Sequence, residues 1–169
     1  MKNNYGTIIK GDLNYFDKKG IATLEKNITD TLNTLGKNEN GFFMMYEEAY
    51  IDKYCHSNKA KDTFLTVLRF NQAIGRFMEF AFYNPETFLL ITADHETGGL
   101  KENKNGRYLF TSTEHTSADV PVFAYGKGAE VFGGVTVENI QIPKTIAKMW
   151  GVELTGYQND KYPALTPAA

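Results

Sequence analysis

The chain has 169 residues, enough for one ordinary domain with a buried core, and 42% of them are hydrophobic against 22% charged. The formal net charge is only -2 and the basic residues are scattered, which excludes the basic face or stripe of a protein whose main partner is nucleic acid. No apolar stretch reaches the length needed to span a bilayer. A single cysteine, Cys55, excludes an intramolecular disulfide, and the opening residues lack the apolar run of a signal peptide. Asn27-Ile28-Thr29 has the form of a glycosylation acceptor, a pattern short enough to be accidental.

Residues 1–20 are polar and irregular, broken by Gly6, Gly11, Asp12 and Gly20. From about Thr23 to Leu35, the residues Leu24, Ile28, Leu32 and Leu35 recur at helical spacing, and Gly36 is placed to cap the helix. After a turn over 37–40 comes Gly41-Phe42-Phe43-Met44-Met45-Tyr46, an unalternating apolar run that predicts a strand buried on both faces. It ends in Glu47-Glu48. Residues 62–83 predict the longest helix, with Phe64, Val67, Leu68, Ile74, Phe77, Met78 and Ala81 as its apolar stripe and Asn84-Pro85 as its stop. Phe88 to Ala93 predicts a second buried strand, also ending in charge at Asp94-His95. A loop at Gly98-Gly99 and 101–107 leads to short strands at Tyr108 to Thr111 and Val120 to Tyr125. A last helix, from about Glu138 to Trp150, precedes a loose tail. Strands separated by helices predict an α/β fold with a largely parallel sheet flanked by helices. The expected division is an irregular segment 1–20, an α/β metal-binding body 21–155 and a tail 156–169.

The chemistry concentrates on three histidines. His56 lies one helical turn from Asp52, His95 beside Asp94, and His115 beside Glu114. One such histidine is ordinarily a satisfied polar residue; three, with two apolar runs ending in Glu47 and in Asp94-His95, are harder to explain that way. Ligands of open α/β sheets bind outside the carboxyl ends of the strands, so both charged ends predict one crevice. Asp52 and His56 share a face if their segment is helical. Imidazole with carboxylate suits zinc, and carboxylate oxygens with water suit magnesium. This says metal site more clearly than it says which metal.

Those same residues carry a resemblance. Thr92-Ala93-Asp94-His95-Glu96-Thr97-Gly98-Gly99-Leu100 resembles the metal-ligand motif of bacterial alkaline phosphatases. Glu114-His115-Thr116-Ser117-Ala118-Asp119 resembles the family's later histidine segment, and Gly41 to Glu47 with Asp52 and His56 resembles its earlier one. The match runs in order from about residue 25 to 150, so the chain is similar to the C-terminal part of that fold. The resemblance implies that Asp52, His56 and His115 hold a first zinc ion, Asp94 and His95 part of a second zinc site, and Glu47 part of a magnesium site. The implied reaction is hydrolysis of phosphate monoesters, with inorganic phosphate as a product. Family habit implies a periplasmic, envelope-associated or secreted location, and a homodimer as one assembly.

The resemblance also shows what to expect elsewhere. The family's nucleophile is a serine that follows an aspartate, and Ser57, Ser112 and Ser117 do not stand in that context. Arg69, Arg76 and Arg107 lie in the wrong segments to serve as the phosphate-clamping arginine. The expectation is therefore a fragment or split gene product, weak or inactive alone, whose partner is the missing N-terminal half. Glu48 is expected to face solvent, Cys55 to be a bystander rather than a zinc ligand, and Glu96 either to orient His95 or to sit in a solvated loop. The phenylalanine-rich helix is expected to be core, with part of its surface bare if the other half is absent. Two alternatives stay open: a phosphodiesterase or phosphoglycerate mutase of the same superfamily, and a non-catalytic metal-binding domain.

Overall fold

Leu24, Ile28 and Leu32 recur every four residues and are 3%, 0% and 5% exposed, which is the inward stripe of the first helix. The computed structural model describes residues 9–10, 18–154, 156 and 161–167, so most of the expected irregular segment and parts of the tail lie outside the described residues. Helix α1 spans Lys18–Leu35, starting five residues before the apolar spacing does. β1, Ile9–Lys10, precedes it. The chain divides into two compact units, one of residues 1–80 and 95–119 and the other of 81–94 and 120–169.

In the first unit, Gly36 closes α1 by donating its N–H to the Leu32 carbonyl at 2.8 Å. The apolar run that follows alternates: Phe42, Met44 and Tyr46 pack on Leu24, Ile28, Leu32 and Ala73, while Phe43 and Met45 stay 41% and 51% exposed. Burial on both faces is therefore not found, because an extended segment turns successive side chains to opposite sides and one side alone is covered. Its last residues form β2, Tyr46–Glu47, paired in parallel with β1. α2 is Tyr50–His56 and α3 is Ala60–Tyr83. The inner face of α3 keeps Phe77 and Ala81 of the expected stripe but is otherwise different. Thr63, Thr66, Arg69 and Ala73 are buried, Phe77 and Phe80 pack beside them, and Phe64, Val67, Leu68 and Met78 face outward. Tyr46 stacks on Phe70 at 5.9 Å and tilts against Phe77 at 5.6 Å, fixing β2 on α3.

Four further short strands complete this unit: β4 (Glu96–Thr97), β5 (Lys101–Glu102), β6 (Tyr108–Leu109) and β7 (His115–Thr116). β4 pairs with β7 and β5 with β6, both antiparallel. In the second unit, β3 (Phe88–Ile91) pairs antiparallel with β8 (Phe123–Gly126), and Phe88 stacks on Phe132 of a 3-10 turn at Ala129–Phe132. Helix α4, Gln141–Met149, buries Thr145 and Ala147 and receives tail contacts from Tyr162, Pro163 and Leu165. The largely parallel sheet that the element order implies is not found among the described residues, where three of the four strand pairings are antiparallel. The segment between β3 and β8 holds no described helix, so no crossover exists to make that pair parallel. No described helix is long and apolar enough to cross a membrane.

Candidate metal centre

Asp52 and His56 stand four residues apart on α2, and one turn of helix puts both side chains on the same side. The helix is held at both ends. At its start, Glu48 is buried, ion-paired with Arg69 of α3, and accepts the Tyr50 N–H at 3.4 Å. This corrects the expectation that Glu48 faces solvent: its side chain is 1% exposed because a guanidinium meets it inside the fold. At the other end, Asn58 adopts a left-handed backbone (φ 53°), and its amide, with the nitrogen assigned from its neighbours, donates to the Cys55 and Ser112 carbonyls. That contact ties the end of α2 to the segment leading to His115.

β4 and β7 set the other half of the site. Their register places Thr97 opposite His115. Glu96 binds down the intervening loop, its carboxylate accepting the N–H groups of Gly99 and Leu100 at 3.2 Å each and the Thr116 hydroxyl. Glu96 thus acts on the backbone and on the neighbour of His115. Gly98 and Gly99 have φ of +87° and +59°, and an added Cβ at Gly98 would lie 2.6 Å from the Phe110 ring, so the turn requires both glycines.

These elements bring three ligand atoms together. His56 Nε2 lies 3.1 Å from His115 Nε2 and 3.3 Å from Asp52 Oδ1, and His115 Nε2 lies 3.5 Å from the same oxygen. Among the described residues these three form the group of side chains spaced to share an ion. A tetrahedral zinc about 2.0–2.1 Å from each ligand holds its ligand atoms about 3.3 Å apart, which is the spacing found. The protonation pattern agrees. The Thr113 carbonyl only accepts, so His56 Nδ1 carries a proton, and in the neutral ring Nε2 then offers its lone pair on the side of Asp52 and His115. Hydrogen bonds alone satisfy one such approach at a time; a cation satisfies all three.

The other candidates are placed differently. The His95 ring stacks on His115 at 3.6 Å, and its Nδ1 lies 3.2 Å from the Thr97 hydroxyl. Asp94 is exposed in the second unit, where its carbonyl accepts the Asn139 amide at 2.6 Å. Glu47 is exposed at the end of β2 and is not part of the group. Cys55 is 6% exposed, with Sγ 3.8 Å from the Thr63 hydroxyl; burial pushes its thiol up, and it too stands outside the group. Sequence reasoning missed Thr97, Thr113 and Asn58. Thr97 alone had a local signal, two residues beyond His95 on an extended segment and so on its side.

The alkaline phosphatase family profile matches residues 9–111. Alkaline phosphatase 4 of Bacillus subtilis is 34% identical, over 67% of this chain and 40% of its own length. The repressible alkaline phosphatase of Saccharomyces cerevisiae is 37% identical over 50% of this chain and 16% of its own. Among solved structures, the alkaline phosphatase from the Antarctic bacterium TAB5 superposes with a TM-score of 0.68 at 29% identity, covering 90% of this chain and 54% of that one. A variant of the TAB5 enzyme described as having Mg bound in the M3 site gives 0.70 at 26% identity. The chain thus spans about half the length of the solved relatives or less of the curated ones, and by sequence and fold it belongs to the alkaline phosphatase family.

Proposed function

We propose that this chain is the metal-binding C-terminal part of a zinc- and magnesium-dependent alkaline phosphatase, acting on phosphate monoesters through a phosphoserine formed on a residue outside it. The observation that carries the reading is the convergence of Asp52 Oδ1, His56 Nε2 and His115 Nε2 at 3.1–3.5 Å. Asp52, His56 and His115 would hold the first zinc, Asp94 and His95 would contribute to the second, and Glu47 to the magnesium. Zinc bound at such a site supplies a Lewis acid for a phosphate oxygen and lowers the pKa of bound water.

The chain's own residues fit that task. One carboxylate and two neutral imidazoles leave a bound divalent cation with net positive charge, which attracts a phosphate dianion. The three side chains are 39%, 35% and 48% exposed, so a small anion reaches them from solvent. Ser57, Ser112 and Ser117 do not follow an aspartate as the family's nucleophile does, so this reading takes the nucleophile from a segment outside this chain. That segment, inorganic phosphate and a second copy of the whole enzyme are the partners this reading predicts, in a periplasmic, envelope or secreted setting.

Calorimetric titration with zinc tests the core of the reading. One site is expected, with affinity weakened at least about 100-fold by His115→Ala. Hydrolysis of a chromogenic phosphate monoester should be negligible for the chain alone. It should appear when the chain is joined to the part of the Bacillus subtilis relative that it does not cover, and vanish again with His115→Ala. A chain that takes up no zinc overturns the metal reading. A chain that hydrolyses the ester alone overturns the assignment of the nucleophile elsewhere.

A further inference from the structure

We propose that Thr97 is a positioning residue whose single hydroxyl holds Asp52 and His95 together, fixing the lone pair of His95 on Nε2 and the direction of the Asp52 carboxylate. The proposal rests on reading Asp52, His56 and His115 as a metal triad, and it adds a residue that no ligand set contains.

The argument is an inventory of protons. A hydroxyl has one proton to give and two lone pairs to receive with. Thr97 Oγ1 lies 2.7 Å from Asp52 Oδ1, and an ionised carboxylate only accepts, so the hydroxyl proton points there. His95 Nδ1 lies 3.2 Å from the same Oγ1. That oxygen has spent its proton on Asp52 and must accept from His95, so Nδ1 carries N–H, and in the neutral ring Nε2 has the lone pair a metal needs. The Asp52 oxygen that Thr97 grips is the one that faces His56 and His115 at 3.3 and 3.5 Å. One hydroxyl therefore links the triad to His95. Its own place is fixed. Thr97 is 8% exposed, is paired in register with His115, and as a β-branched residue has few rotamers to choose from.

Thr97→Val keeps the shape and removes the hydroxyl; Thr97→Ser keeps the hydroxyl. Zinc titration should show affinity weakened about 10–100-fold in the valine variant and within about 3-fold of the parent in the serine variant. Nitrogen-15 spectra of the imidazole rings in metal-free protein supply a readout independent of metal. His95 should be protonated at Nδ1 in the parent and in Thr97→Ser, and should shift toward a mixture of tautomers in Thr97→Val. Parental zinc affinity in the valine variant overturns the proposal, as does His95 protonated at Nε2 in the parent, a result that needs no variant to fold. Absence of zinc binding by the parent sinks the metal reading instead, and the ring spectra still decide the role of Thr97.

Discussion

Glu48 and Arg69, with side chains 1% and 2% exposed, form an ion pair shut away from water at the base of α2. Breaking such a pair from one side strands a charge in the interior. Arg69→Leu is expected to cost about 3–5 kcal/mol in urea unfolding at neutral pH, whereas Glu48→Leu with Arg69→Leu should cost less than the single change. A double variant less stable than Arg69→Leu would show that the pair stabilises beyond its own desolvation. Nothing near Glu48 in sequence announced this, because its partner is 21 residues away and neighbouring Glu47 carries the family resemblance. Cys55 gives a second test at this scale. Burial is the main cause holding its thiol above its usual 9.0, with the Glu96 and Asp52 carboxylates adding to it. A proton held more tightly in the folded state contributes stability that is complete below the unfolded value and lost as pH rises through the folded one. The parent should therefore lose stability above about pH 9 relative to Cys55→Ala, and its thiol should alkylate slowly until the chain unfolds.

At the scale of elements, the site depends on a loop whose backbone is clamped rather than on long strands. Gly98 donates to the Glu114 carbonyl and accepts from the Thr111 and Ser112 N–H groups, each at 3.0 Å, and so holds β4 and β7 in register. At Gly99 an added Cβ would run into the Thr111 hydroxyl at a φ of +59°. Gly99→Ala should cost about 1–3 kcal/mol in thermal unfolding and weaken zinc binding as well, since the register carries Thr97 and His115. Unchanged zinc affinity in a destabilised Gly99→Ala would uncouple the loop from the site. The helical half of the site was legible beforehand, because Asp52 and His56 share a helix face through spacing alone. The strand half was not. Pairing Thr97 with His115 joins residues 18 apart through a glycine turn, and two-residue strands leave no period to read. The same reason explains the antiparallel pairing of β3 with β8: strand direction follows from what lies between, and the loop and short strands read there supply no crossover helix, which the general alternation of strands and helices hid.

For the molecule as a whole, large apolar side chains stay exposed on one face of α3 and on the segment before β2. Phe64, Val67, Leu68 and Met78 of α3 are 42–63% exposed, and Phe43 and Met45 lie outward on a segment whose other side is core. Their composition was plain in the sequence, and it signalled burial. Which face a chain of this length covers was not, since that depends on the neighbours α1 and β2 and not on the helix's own period. The chain aligns with 40% of the Bacillus subtilis relative and 54% of the TAB5 structure, so in the whole relatives more chain is available to cover surfaces of this kind. Exposed side chains of this size drive association when nothing covers them. The chain alone should sediment as concentration-dependent oligomers. Phe64→Glu with Leu68→Lys should shift it toward monomer while changing stability by no more than about 0.5 kcal/mol per site. Zinc separates this surface from the metal centre. At a concentration 100 times Kd, the ion should add about 2.7 kcal/mol to the stability of both proteins, and a chelator should remove that increment from both. A zinc increment lost together with the surface residues would mean that association builds the site. An increment that survives in the monomer would mean that α2, β4 and β7 suffice.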